Sequence, residues 1–184
     1  MRTVSGALVA SALIAVTTLG VRADDRNTTF QIRATMIGDN EVPPIATDAK
    51  GRLNATVNTE AKTITFELTY SGLEGGDTPL FSHIHFGPPF VNGGVMVFFC
   101  DNSAVPKSPY RCPSDSTGPA TVKGVITGAD VQNLPAQGIN GGADEFDDVV
   151  TAIRKGLSYA NLHTPKFPGG EIRGKVNVRG GEDH

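Results

Sequence analysis

Ile64-Thr65-Phe66-Glu67-Leu68-Thr69-Tyr70 is the stretch that decides the fold. Ile64, Phe66, Leu68 and Tyr70 alternate with three polar residues, which is the period of a strand with one face in a core and one in water. Upstream, Leu53, Ala55 and Val57 keep the same alternation, and Asn58-Thr59-Glu60-Ala61 between the two segments predicts a hairpin turn. Phe30, Ile32, Ala34 and Met36 give an earlier strand of the same kind, after a polar segment at 24–29 that is expected to fray. Asp39 to Pro44 must end that strand, because adjacent prolines cannot donate to a ladder.

Downstream, Val95 to Cys100 is continuously apolar, the pattern of a strand covered on both faces. Ala120–Thr127, Leu157–His163 and Glu171–Val178 supply further strands, with Gly174 standing in the last where a side chain would be due. Asp130–Leu134 is expected to form no more than a short helical turn. The one helix runs from Glu145 to Lys155, with Phe146, Val149, Val150 and Ile153 on one face and Gly156 as its stop. Its opening acids, Asp144, Glu145, Asp147 and Asp148, suit the positive end of the helix dipole. They lack the alternating Asp-x-Asp-x-Asp-Gly loop of a calcium-binding hand. Many short strands with 22 glycines and 12 prolines predict a mainly β fold. The expected architecture is an antiparallel β-sandwich or barrel, Ig-like or superoxide-dismutase-like, with one short helix.

Residues 1–23 read as an export signal, with an apolar run from Ala7 to Val16 and Val21-Arg22-Ala23 before the cut. The alternative is an uncleaved N-terminal anchor. Cleavage would leave 161 residues, enough for a single domain, with its core at about 30–178. It would also remove Arg2 and Arg22, moving the formal charge from −3 to −5. No basic run remains, so neither nucleic acid nor, after cleavage, a membrane is the expected partner. The expected location is secreted, periplasmic or extracellular. Cys100 and Cys112, the only cysteines, are expected to form a disulfide rather than a pair of thiolate ligands, since an exported chain matures in an oxidising compartment.

The chemistry concentrates in Phe81-Ser82-His83-Ile84-His85-Phe86-Gly87. On a strand, His83 and His85 project to one side while Ser82, Ile84 and Phe86 project to the other. His163 stands far along the chain, before Phe167-Pro168-Gly169-Gly170, and His184 belongs to a terminal tail left out of the site. Convergence of His83, His85 and His163 would make a transition-metal site. Three imidazoles without thiolate suit copper, favoured by an exported location, or zinc as the lesser alternative. Water would complete the shell, and Asn161 and Glu171 are candidates for supporting the ligands. The competing reading is that the histidines are structural and hydrogen-bond to backbone, and that Glu171 and Arg173 form a surface ion pair. No nucleophile elbow or phosphate loop is present, so catalytic residues are left unassigned.

The ordered series of short motifs resembles the CHRD (chordin) domain family. It comprises Asn40-Glu41-Val42-Pro43-Pro44, Ala49-Lys50-Gly51, Tyr70-Ser71-Gly72-Leu73, His83-Ile84-His85-Phe86-Gly87 and Asn92-Gly93-Gly94-Val95. It ends with Tyr159-Ala160-Asn161-Leu162-His163-Thr164 and Pro168-Gly169-Gly170-Glu171-Ile172-Arg173-Gly174. The resemblance implies an exported β-sandwich domain of the single-domain kind, in a family whose chordin members bind growth factors outside animal cells. The His-x-His strand is also similar to the metal strand of copper-zinc superoxide dismutases, although this chain has no histidine to bridge two metals. Two functions follow as expectations. One is a secreted protein that binds copper at His83, His85 and His163, to store it, scavenge it or use it for redox chemistry. The other is an extracellular protein-interaction module without metal.

Overall fold

A computed structural model describes residues 28–74 and 78–179 of the 184-residue chain. The proposed signal at 1–23 and His184 lie outside the described residues. Nine strands form one antiparallel sheet among the described residues: β1 (Thr29–Ile37), β2 (Lys50–Asn58), β3 (Thr63–Ser71), β4 (Phe81–Phe86), β5 (Gly94–Asp101), β6 (Ala120–Thr127), β7 (Ser158–His163), β8 (Ile172–Lys175) and β9 (Asn177–Val178). Their order is β5-β4-β7-β8-β1-β2-β3-β6, with β9 paired to β1. Edge strands β5 and β6 approach each other without a ladder, so the sheet curls into a nearly closed barrel. Of the two layouts expected from the sequence, the barrel is the one found.

The alternating segments behave as their periodicity requires. Phe66 pairs with Ala55 and Leu68 with Leu53 across the β2–β3 hairpin, so apolar side chains meet on one face. Ile32, Ala34 and Met36 from β1 join them, and Ile32, Ala34, Met36, Leu53, Val57, Ile64, Phe66, Leu68 and Tyr70 are all essentially inaccessible. The helix α1 (Phe146–Arg154) starts after a 3-10 turn at Ala143–Glu145 and closes the same core with Phe146, Val149, Val150 and Ile153. Gly156 follows it at φ 67°, the left-handed stop that a glycine adopts without steric cost.

Three segments depart from simple alternation, each for a local reason. β5 pairs with β4 through two register shifts, leaving Met96 and Phe99 as extra residues, so that the neighbours Met96 and Val97, and Phe99, Cys100 and Asp101, are all buried while Phe98 is only partly so. The final strand is split at Val176 into β8, which pairs with β1 at Ile37, and β9, which pairs with it at Ile32 and Arg33. Gly174 lies where β8 crosses β1 closely: a Cβ there would sit 2.1 Å from the Thr35 carbonyl oxygen. Around Asp130–Leu134, where the sequence predicts no more than a short helical turn, short 3-10 turns lie at Gly128–Asp130 and Pro135–Gln137.

The gap between β5 and β6 is filled by the loop that the cysteines tie. Cys100 and Cys112 are bonded, with Cα atoms 5.0 Å apart. Within the loop, the Asp101 carboxylate accepts the backbone N–H groups of Ser103 and Lys107. The Tyr110 hydroxyl then accepts from the Val125 N–H at 2.9 Å on the exposed edge of β6, and the Tyr110 ring packs edge-on against Phe66. The disulfide thus restrains the segment that covers an open sheet edge. Its reduction is expected to lower stability by about 3 kcal/mol, the loop-closure entropy of a crosslink this short. Urea unfolding with and without reductant measures this, and coincident midpoints would refute it.

Candidate metal centre

Strands β4 and β7 are adjacent and antiparallel, and their register fixes the site. Ser82 faces Leu162 and Ile84 faces Ala160, all four turned to the core. Phe81 faces His163, His83 faces Asn161 and His85 faces Tyr159, all turned to the outer side of the sheet. Arg173 of β8 pairs with Asn161 and extends the same outer row. An outer sheet face would ordinarily be wet. Here every residue of β7 is buried, because the loops at 38–49, 87–93 and 164–171 fold back over this face.

The three histidines lie together. One ring nitrogen from each of His83, His85 and His163 lies within 4.8 Å of the other two. Ring centroids are 4.5 Å apart for His83–His85 and 4.7 Å for His83–His163. Exposure is 2% for His83, 9% for His85 and 6% for His163. Nitrogens bound to one tetrahedral ion at 2.0–2.1 Å would lie about 3.4 Å apart.

Hydrogen bonds assign the ring nitrogens. The carbonyls of Gly93 and Pro168 can only accept, so His85 Nδ1–H donates to Gly93 O at 2.7 Å and His163 Nδ1–H donates to Pro168 O at 2.9 Å. Each ring is then left with its lone pair on Nε2. His163 Nε2 and His83 Nδ1 are buried and have no hydrogen-bond partner. His85 Nε2 lies 3.1 Å from the Asn161 side-chain amide. That amide must present its NH2 there if it is to bond a bare lone pair. Asn161 therefore sits against His85.

All three imidazoles are held neutral. Burial pushes His163 down to about 4 and lowers His85. His83 is pushed well below its ordinary value, first by burial and then by its two histidine neighbours. Because these folded-state values are depressed, an unfolded chain binds protons that the folded one refuses. Stability of the metal-free protein is thus unaffected above about pH 6.5 and declines as pH falls from there toward 4. For His163 alone the loss reaches about 3 kcal/mol, at about 1.4 kcal/mol per pH unit. Urea midpoints measured in the presence of a chelator should fall across that window, and less steeply in His163→Ala. Equal slopes would reject the assignment.

Arg173 holds the cover in place. Its Nε and Nη2 both bond Glu41 Oε2 at 2.9 Å, Nη2 reaches Asn92 Oδ1 at 2.8 Å and Nη1 reaches Pro89 O at 3.3 Å. Its guanidinium lies 4.2 Å above the Tyr159 ring, which in turn stacks on His85 at 4.6 Å and 10°. The Tyr159 hydroxyl accepts the Gly93 N–H at 3.1 Å. The surface ion pair between Glu171 and Arg173 is not what forms. Both are fully buried, and Arg173 pairs with Glu41, 132 residues away in sequence. Glu171 instead accepts hydrogen bonds from Thr47 Oγ1, Thr164 Oγ1 and the Glu74 N–H, tying together loops around the site.

Sequence reasoning missed Glu41, Asn92 and Tyr159 as parts of the site. Their signal was present only as membership of the short motifs, since no local spacing links Glu41 to Arg173. The described residues contain no helix long and apolar enough to cross a membrane. No curated protein and no solved structure matches the chain. The model of the CHRD domain family matches residues 32–176, a span that contains most of β1, all of β2 through β8, all three histidines and the Glu41–Arg173 pair. The chain belongs to the CHRD domain family.

Proposed function

We propose that this CHRD domain is an exported metal-binding module that holds a transition metal, copper in preference to zinc, on His83, His85 and His163. One observation carries the reading: three buried, neutral imidazoles meet, and two of their nitrogens have no hydrogen-bond partner. Leaving a buried polar atom unpaired costs about 1–3 kcal/mol, and a metal ion is the partner that a bare imidazole lone pair accepts. The hydrogen bonds from Nδ1 of His85 and His163 to backbone carbonyls are the arrangement that orients ligand histidines. Export is supported by the apolar leader and by the disulfide, a bond that persists in oxidising compartments.

A second reading, an extracellular protein-interaction module with structural histidines, is favoured by His85, both of whose ring nitrogens already have protein neighbours. Family membership is compatible with either. Elemental analysis of untagged protein after exposure to copper or zinc at neutral pH separates them. One equivalent bound by the wild type, and none by His83→Ala or His163→Ala, is the outcome expected of a metal module. Wild-type protein that retains neither metal refutes it.

A further inference from the structure

The geometry points to a site built for monovalent copper: the cluster of His83, His85 and His163 selects Cu(I) over the divalent ions Cu(II) and Zn(II). The inference rests on the metal reading above and concerns which ion that site prefers. Three features of the surroundings carry it.

The first is the donor set. Among the described residues the cluster consists of three histidines, with no Asp, Glu or Cys in it. Three neutral imidazoles cancel none of the ion's charge, so whatever charge enters stays. The solvation penalty of a buried ion grows with the square of its charge, which makes a divalent ion about four times as costly as a monovalent one in the same cavity.

The second is the sign of the neighbouring charges. Arg173 approaches through the Tyr159 ring stacked on His85. Its countercharge, Glu41, is a hydrogen-bond partner of Nε and Nη2 and is not a member of the histidine cluster. On the other flank Lys107 Nζ stands 5.8 Å from the Phe98 ring centre, and Phe98 packs against His83 at 4.9 Å. Cations on two sides repel a second positive charge more than they repel one.

The third is coordination. Phe81 lies 4.7 Å from His163 and 5.3 Å from His83, and with Phe98 it covers one flank of the cluster with rings rather than donors. Zinc sites are almost always four-coordinate, and cupric sites tetragonal with nitrogen and oxygen ligands. A d¹⁰ monovalent copper ion is satisfied by three imidazoles in a plane. The buried triad offers that number and that ligand type.

The deciding measurement is competition on untagged full-length protein at pH 7.5. Cu(I) is titrated anaerobically against a chromophoric Cu(I) chelator, and Zn(II) and Cu(II) are titrated separately against chelators of known affinity. Cu(I) is expected to bind at least a hundredfold more tightly than Zn(II). It should also exceed Cu(II) by a hundredfold, which lifts the bound copper couple by about 120 mV over the free ion at 59 mV per decade. Tighter binding of Zn(II) or Cu(II) overturns the monovalent assignment while leaving the metal site standing, whereas failure of all three ions overturns both. Phe98→Glu places a carboxylate beside His83 and should narrow the Cu(I)-to-Zn(II) ratio tenfold or more. Phe98→Leu should leave that ratio unchanged. A folded Phe98→Glu protein, checked by circular dichroism, with the wild-type ratio would refute the charge argument.

Discussion

His163→Ala is expected to weaken copper binding by more than about a hundredfold without unfolding the barrel. Loss of a group that only orients a ligand already costs 10–100-fold in affinity, so loss of one ligand in three must exceed that. The fold survives because His163 projects from the outer side of β7, whereas Leu162 and Ala160 on the same strand face the core. Removing the ring also relieves a buried nitrogen of its missing partner, so stability of the metal-free protein should change little, or improve in acid. Competitive copper titration and thermal unfolding of the same variant test both halves. Wild-type affinity in His163→Ala would show that β4 and β7 do not share a ligand, and the proposed centre would be abandoned.

Arg173→Ala should be the most damaging single change on the outer face, at about 3–5 kcal/mol, because it strands the Glu41 carboxylate without its counterion. Both side chains are almost wholly buried, at 1% and 2% exposure. Burial pushes the Glu41 carboxyl up and the adjacent guanidinium is the largest influence pulling it back, so removing Arg173 leaves the burial penalty opposed only by hydrogen bonds to the Val42 backbone and Asn161. For a domain of this size the expected fall in Tm is roughly 10 °C. The double variant Glu41→Gln, Arg173→Met should recover much of the loss, since an uncharged pair of similar volume removes the stranded charge. Urea unfolding of the single and double variants measures the coupling. Arg173→Ala within 1 kcal/mol of the wild type would mean that the pair does not secure the cover. The change should also loosen the loop at 87–93, which Arg173 grips through Pro89 and Asn92, and thereby expose His85.

These two residues show where the sequence could be read and where it could not. The alternation at Ile64–Tyr70, Leu53–Val57 and Phe30–Met36 reports burial directly, because a strand's period of two needs no knowledge of its neighbours. The same rule put His83 and His85 on one side of β4. Their convergence with His163 was foreseeable only as a hypothesis, since 78 residues separate His85 from His163. The β4–β7 ladder decided it.

By itself, then, the sequence determined the strands, the helix with its apolar face and glycine stop, the cysteine pairing and the three candidate ligands. All of these follow from local periodicity, turn chemistry or the scarcity of a residue type. Only the tertiary structure decided that one sheet curls into a barrel and that β5 meets β4 through two bulges. It alone showed that the outer face of β4 and β7 is roofed by loops, and that Arg173 pairs with Glu41 and not with Glu171. The physical reason is the same in each case. Burial of a charge or an imidazole depends on which distant segment lies above it, and that is fixed by the closure of the sheet and the return of its loops. No window of neighbouring residues encodes it.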